Sequence, residues 1–330
     1  MFVPIFDLAA NRRYVLHHDS GNSSVKRRVK ATGMGLEMSQ GIAAVILEYR
    51  GPSRTIPCVA SLLASGVSSV LVLDNSDDGG ISADALRRAL GEDARIRIES
   101  GGPNLGFAAG VNRALGMLCD EGWTGRVLLV NNDAQVLAGA VEALDRALDA
   151  HPRAAMAYPT IRHAGFALTL TYYHPWTGRL SQVYSAGGIP YVSGCCVLLE
   201  RDQVKDGLFD ETFFMYGEDV ELSARLARAG RDVVHADDAS VVHEGSASSG
   251  TSTLFYETHM VAAHVILAHR LADSAAKRAM YLAGRAVFLS LRAARRAIRH
   301  RSVTPLRGLV DGWRRGHSAL RHRPRPGFSD

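Results

Sequence analysis

The sequence predicts an α/β fold in which a mostly parallel central sheet is flanked by helices and followed by a basic helical C-terminal tail. Three observations predict it. The apolar runs at 42–47, 70–73 and 127–130 are continuous rather than alternating, as in strands buried on both faces. Each ends in polar residues before a segment of helical character, which is the pattern of βαβ units. From Arg270 to Asp330 there are fifteen Lys or Arg and three acids, or +12; with a net charge of +5 over 330 residues, the remainder carries 5 − 12 = −7.

In chain order, residues 1–40 show weak periodicity and a basic patch at 25–30, and read as an N-terminal extension open to disorder. Met34 and Met38 stand just before the first strand, and a start at either would leave part of this segment outside the native product. The strand at 42–47 opens a domain expected over 41–260. A helix with Val59, Leu62 and Leu63 on its apolar face follows, then the strand 70–73, which stops at Asp74-Asn75-Ser76. Residues 83–90 read as a helix, 95–99 as a short strand and 108–118 as another helix. The strand 127–130 runs into Asn131-Asn132-Asp133. Further on, Leu222, Leu226 and Ala229 lie at helical spacing, with Gly230 as the stop. Residues 261–330 form the basic tail. Polar residues at the C-terminal ends of parallel strands stand where open α/β sheets bind ligands.

Several classes lose ground. Apolar residues make up 47% of the chain, ample for a core, yet no apolar run reaches the roughly 18–20 residues of a spanning helix. The N-terminus lacks a basic region followed by a cleavage site of small residues, so no signal peptide is expected. Cys58, Cys119, Cys195 and Cys196 have apolar neighbours and no Cys-x-x-Cys spacing, which suits reduced thiols in a cytoplasmic protein. Neither common phosphate loop is present, which argues against nucleoside-triphosphate hydrolysis and nicotinamide chemistry. Acids at strand ends suggest instead a divalent metal bridging to phosphates.

The run Phe213-Phe214-Met215-Tyr216-Gly217-Glu218-Asp219 places two acids after a run of aromatics and before a helix. Asp219 suits a helix cap. It equally suits a general base, because a carboxylate beside an aromatic wall is partly desolvated and accepts protons nearer neutral pH. Asp74-Asn75-Ser76 and Asn131-Asn132-Asp133 read either as polar turns or as ligand-facing strand ends. His243 closes the apolar pair Val241-Val242 and reads as structural or ligating, with His235 as a rival.

Taken in order, several motifs coincide: the strand to Glu48-Tyr49; Asp74-Asn75-Ser76; Asn104-Leu105-Gly106-Phe107 with Asn112; Asn131-Asn132-Asp133; Ser193-Gly194-Cys195-Cys196; Glu218-Asp219; and Val241-Val242-His243. This succession, over about residues 42–260, resembles the family 2 glycosyltransferases of GT-A fold, and within them the rhamnosyltransferase branch. The resemblance implies a nucleotide-diphospho-sugar transferase fold and inverting transfer of a hexosyl group, L-rhamnose among the candidates. The sugar would pass from a nucleotide-diphosphate donor to a hydroxyl of a glycan, lipid-linked or small-molecule acceptor. It gives Asp133, with Asn131 in place of the first acid of an Asp-x-Asp motif, and His243 as ligands of Mg²⁺ or Mn²⁺. It gives Asp219 as the base and Glu218 as an acceptor-orienting partner. The implied substrate-binding set is Tyr49, Asp74, Asn75, Asn104, Gly106, Asn112 and Asn132. Tyr49 would stack on the base and Asp74 accept from pyrimidine or ribose. Gly106 would admit backbone close to the ligand, and Asn112 would fix that loop. Glu48 departs from the Thr/Asn-Tyr-Asn ending common in the family, and that change together with Asn131 supports the alternative of a catalytically silent nucleotide-sugar-binding or scaffold protein.

In the tail, Met280, Val287, Leu291, Ala294 and Ile298 fall on one helical stripe, and Arg278, Arg285, Arg292 and Arg299 on the other side. Such a helix either binds an anionic membrane surface, as a peripheral protein on the inner face of the cell membrane, or packs on the catalytic domain with a solvated Arg face. The tail has few aromatics for stacking, so nucleic acid is not an expected partner.

Overall fold

The computed structural model describes residues 14–15, 41–163, 166–184, 186–205, 207–243 and 253–322. The N-terminal extension, with its basic patch and two methionines, lies outside the described residues except for β1 (Tyr14–Val15). The predicted alternation then follows: β2 (Ile42–Glu48), α1 (Pro52–Ala64), β3 (Ser69–Asp74), α2 (Ile81–Leu90), β4 (Ile96–Ser100), α3 (Phe107–Asp120) and β5 (Arg126–Asn131). Proline at the first turn of α1 costs no hydrogen bond there, since that N–H has no intrahelical partner.

β4, β3, β2 and β5 lie side by side and parallel, in register so that Glu48 faces Asp74 and Leu47 faces Asn131. The polar ends of three strands therefore come level at one rim. The second half comprises β6 (Ala134–Val136), α4 (Ala140–Ala150), β7 (Ala154–His163), β8 (Phe166–Leu168), β9 (Thr171–Tyr173), β10 (Leu180–Ser181), β11 (Ile189–Tyr191), β12 (Cys196–Leu199), α5 (Glu218–Arg228) and β13 (Asp232–His243). β12 runs antiparallel between β5 and β7, and β13 lies parallel to β7. β9, β10 and β11 form a separate small sheet.

The continuous apolar runs are explained by two buried layers. Ala43 and Val45 of β2 join a cluster with Val111 and Leu115 of α3, whereas Ala44 and Ile46 join one with Val59 and Leu62 of α1. Cutting one such leucine to alanine costs about 2–5 kcal/mol.

Three helices end the described chain: α6 (Leu254–Arg270), α7 (Ala275–His300) and α8 (Thr304–His322). The division expected at residue 260 falls inside α6, whose Val265, Ile266 and Leu267 are buried. α8 crosses α6 through Gly308, Gly312 and Gly316, where added Cβ atoms would meet Glu257, Val261 and Val265 at 2.3, 2.5 and 2.8 Å. The orientation of α7 reverses the packed alternative with a solvated Arg face. Arg285 is buried and donates to the Tyr173 hydroxyl at 2.8 Å, while Arg292 and Arg296 donate to the fully buried Glu257 at 2.6 and 2.5 Å. Arg278 and Arg299 are exposed. The apolar stripe points to solvent: Met280, Val287, Leu291 and Ile298 are 49, 57, 61 and 79% exposed. None of the described helices is long and apolar enough to cross a membrane.

Candidate active site

The rim formed by the C-terminal ends of β2, β3 and β5 opens into a cavity of about 330 Å³. Its wall takes Leu47 from β2 and Tyr49 from just beyond it, Asn75 from beyond β3, Asn131, Asn132 and Asp133 from the end of β5, and His243 from the end of β13. The 104–107 loop, the 193–195 turn and the 214–219 segment supply much of the remainder. Of the implied catalytic, metal and substrate-binding sets, every residue lines this cavity except Asp74 and Asn112.

Those two do something else. The Asp74 carboxylate is buried and accepts from the backbone N–H groups of Ser76 at 3.0 Å and Ala83 at 3.2 Å, an Asx-turn that shapes the end of β3. Asn112 was expected to fix the 104–107 loop, but its side chain accepts from the N–H groups of Leu208 and Phe209 at 2.8 and 3.0 Å and donates to the Phe209 carbonyl at 2.8 Å. It therefore holds the segment that leads to the two acids. Asn75 takes the role expected of Asn112. It donates to the Asn104 side chain at 3.0 Å and the Gly106 carbonyl at 3.1 Å, and accepts from Leu105 N–H at 2.9 Å.

Gly106 is required by protein rather than by ligand. Its φ is 80°, and a Cβ there would meet the Phe214 carbonyl oxygen at 2.3 Å. That carbonyl accepts from Phe107 N–H at 2.6 Å, so the start of α3 and the acid-bearing segment are fastened together. Glu48 is equally structural. Fully buried, it accepts from Gly51 N–H, from the Thr55 hydroxyl and, at 3.0 Å, from Asn132. Its departure from the family pattern thus has a packing reason, and the Asn132 amide is directed at Glu48 and Thr55 while the residue lines the cavity edge.

The acids sit on an over-determined turn. Arg270 grips Asp210 at 2.6 Å and the Thr212 hydroxyl at 2.8 Å. Tyr216 at φ 67° and Gly217 at φ 83° then swing the chain into α5. A tyrosine in this left-handed region costs about 1–3 kcal/mol and persists only where its surroundings hold it. Gly217 is the N-cap, so Glu218 and Asp219 are the first two helical residues and Asp219 is not the cap itself. The positive end of the helix favours negative charge at this point.

The pair is asymmetric. Asp219 is half-buried and accepts backbone N–H donors from Val220, at 2.8 Å, and from Gly194. Glu218 is buried, and its Oε2 has no hydrogen-bond partner among the described residues. Burial pushes both carboxyls above the usual range, the charge on Asp219 raises Glu218 further, and the N–H donors restrain the rise of Asp219. Hydrogen bonding thus favours the charged form of Asp219, whereas Glu218 Oε2 has no such donor among the described residues.

Asp133 and His243 meet at 3.0 Å, Oδ1 to Nε2. Burial raises the Asp133 carboxyl, but the hydrogen bond and charge of His243 outweigh it and hold the group below its ordinary value, with Arg54 adding to the effect. The rival His235 does not line the cavity and lies 3.0 Å from the Thr160 hydroxyl. Among the described residues no group of three or more His, Cys, Asp or Glu forms a protein cage for a metal. The donor set still fits a hard divalent cation: one carboxylate and one imidazole at the cavity wall leave sites for diphosphate and water. Sequence reasoning missed Arg54, Phe255 and the Gly194 N–H; only the last had a signal, in the Ser193-Gly194-Cys195-Cys196 motif.

Comparison with known proteins agrees with this fold. The family described as "Glycosyltransferase like family 2" matches residues 40–262. The N-acetylglucosaminyl-diphospho-decaprenol L-rhamnosyltransferase of Mycobacterium tuberculosis is 30% identical over 242 residues, covering 64% of this chain and 78% of that protein. Among solved structures, GalNAc-T7 with UDP, GalNAc and Mn²⁺ superposes with a TM-score of 0.55 at 13% identity, over 70% of this chain and 48% of that one. The chain thus spans about half the length of that structure. The mannosyltransferase PcManGT from Pyrobaculum calidifontis, in complex with GDP-Man and Mn²⁺, gives 0.51 at 15% identity, over 84% of this chain and 86% of that one. These structural likenesses show the fold, which is GT-A. Matched by the family over more than half of its length, and aligned with a curated member over most of that member, the chain belongs to the family 2 glycosyltransferases, enzymes that move a sugar from a nucleotide-sugar donor.

Proposed function

We propose that this glycosyltransferase inverts the anomeric centre, and that it transfers L-rhamnose from a nucleotide-diphosphate donor, dTDP-L-rhamnose the first to try, to a hydroxyl of a lipid-linked glycan at the inner face of the cell membrane. The donor and acceptor classes are supported by the mycobacterial relative, and inversion by the family resemblance. The observation that carries the mechanism is the asymmetric acid pair in one cavity wall, with Asp219 bonded by two backbone N–H groups and Glu218 Oε2 without a partner among the described residues.

Asp219 takes the proton of the acceptor hydroxyl as that oxygen forms its bond to the anomeric carbon, from the face opposite the diphosphate. The bond from that carbon to the diphosphate oxygen breaks, and the nucleoside diphosphate departs with the electron pair. Protonated Glu218 donates a hydrogen bond that orients the acceptor. Tyr49 stacks on the base, and the loop clasped by Asn75, with Asn104 and Gly106, runs beneath the nucleotide. Asp133 and His243 would hold Mg²⁺ or Mn²⁺, whose positive charge would favour diphosphate as a leaving group.

The test is Asp219→Asn. Loss of a general base lowers kcat by about 10²–10⁴, with donor affinity by calorimetry near wild type. Glu218→Gln lowers it less. A folded Asp219→Asn protein with wild-type turnover would remove Asp219 from the chemistry.

A further inference from the structure

The solvent-facing side of α7 is apolar where a packed helix should be polar. Met280, Val287, Leu291 and Ile298 are each about half or more exposed, and the face continues onto Trp176, 55% exposed, whose ring meets Phe288 edge-on at 6.3 Å. The contact is close, since a Cβ on Gly284 would meet Trp176 Cδ1 at 2.3 Å. A contiguous apolar patch of this kind marks an interaction surface.

The charge around the patch indicates what covers it. From Ser274 to Val310 the chain has no acidic residue. Arg278, Arg295, Arg299 and Arg301 are exposed along the helix, Lys277 is paired with Asp273 at its start, and Arg295 stands one turn from both Leu291 and Ile298. A second copy packed face to face would set these arginines against each other with no acid between Ser274 and Val310 to pair them. An anionic bilayer meets both requirements, because the apolar ridge enters the acyl boundary while the arginines reach lipid phosphates.

We infer that the outward face of α7, with Trp176, is an interfacial docking surface for an anionic lipid bilayer. This deepens the proposed lipid-borne acceptor and rests on that reading. It also replaces the expectation that the row of arginines makes the contact: the Arg285 and Arg292 side of α7 is turned inward, and the apolar ridge is the inserting element. The face is tied to the acids through protein. Arg285 bonds Tyr173 of β9, β9 pairs with β11, and Tyr191 of β11 lies close enough to Asp219 for that charge to help raise its phenol pKa, after burial. A docked enzyme would therefore hold its acids in a fixed relation to the lipid surface.

The experiment is co-sedimentation of the full chain with mixed phosphatidylglycerol–phosphatidylcholine vesicles against pure phosphatidylcholine vesicles. Wild type is expected to bind the anionic vesicles, with a component that survives high salt. The double variant Leu291→Asp/Ile298→Asp should lose binding at least about tenfold, since apolar burial is replaced by charge at the interface. Arg295→Gln/Arg299→Gln should weaken binding about fivefold per arginine and only at low salt. Circular dichroism and turnover with a water-soluble acceptor should match wild type in both variants. Absence of vesicle binding by wild type, or undiminished binding by the Asp variant, would overturn the inference. So would a wild-type dimer that the Asp variant converts to monomer, because a second copy would then cover the face. Vesicle binding is read without catalysis, so it is decided separately from the transfer assay.

Discussion

At the level of single residues, a buried carboxylate that serves as a base weakens the fold it serves. Asp219 and Glu218 hold protons more tightly folded than unfolded, because burial opposes their charge. Between the ordinary carboxylate range and the raised folded values, the unfolded chain binds fewer protons than the native one. Stability therefore falls as pH rises through that window. Asp219→Asn removes one such loss. The variant should melt higher than wild type at neutral pH, by roughly 1–3 kcal/mol at most, and the advantage should vanish below the ordinary carboxylate range, where both proteins are protonated. Thermal melts across pH check this; an equal advantage at every pH would mean that folding does not raise the affinity of Asp219 for its proton. The same substitution should let Glu218 ionise at lower pH, since the Asp219 charge is among the causes of its elevation.

At the level of elements, the strands and helices were legible because parallel strands buried on both faces leave continuous apolar runs. The predicted strand at 42–47 became Ile42–Glu48, and the predicted helix at 108–118 became Phe107–Asp120. The grouping of acids, asparagines and His243 around one cavity was legible from motif order. Which partner each would take was not. Asn112 and Phe209 bond across 97 positions of chain, and no local pattern encodes such a contact. The metal proposal depends on an element in the same way. β6 pairs antiparallel with β13 so that His243 faces Ala134, and this register brings His243 beside Asp133. Asp133→Ala should abolish metal-dependent binding of dTDP or UDP in calorimetry, and His243→Ala should weaken it. Equal nucleotide affinity with and without chelator in wild type would discard the site.

At the level of the whole molecule, the opposite charges of body and tail are joined inside the fold. Glu257 of α6 takes Arg292 and Arg296 of α7, and Asp210 takes Arg270. α8 lies on α6 along three glycines, and Arg315 of α8 rests over the Phe214 ring at 5.3 Å, on the segment that carries the catalytic candidates. The tail should therefore behave as a buttress of the cavity. Gly312→Val tests this, because even a Cβ would meet Val261 Cβ at 2.5 Å and the Thr258 carbonyl at 2.6 Å, both on a buried helix face. Overpacking of this kind costs about 1–3 kcal/mol, which in a protein of this size lowers Tm by a few degrees. If α8 supports the 213–217 turn through Arg315, turnover with a water-soluble acceptor should fall with the melting temperature, while calorimetric donor affinity falls less. A lower Tm with unchanged kcat would make the tail an independent layer, and an unchanged Tm would mean that α8 does not pack on α6 at all.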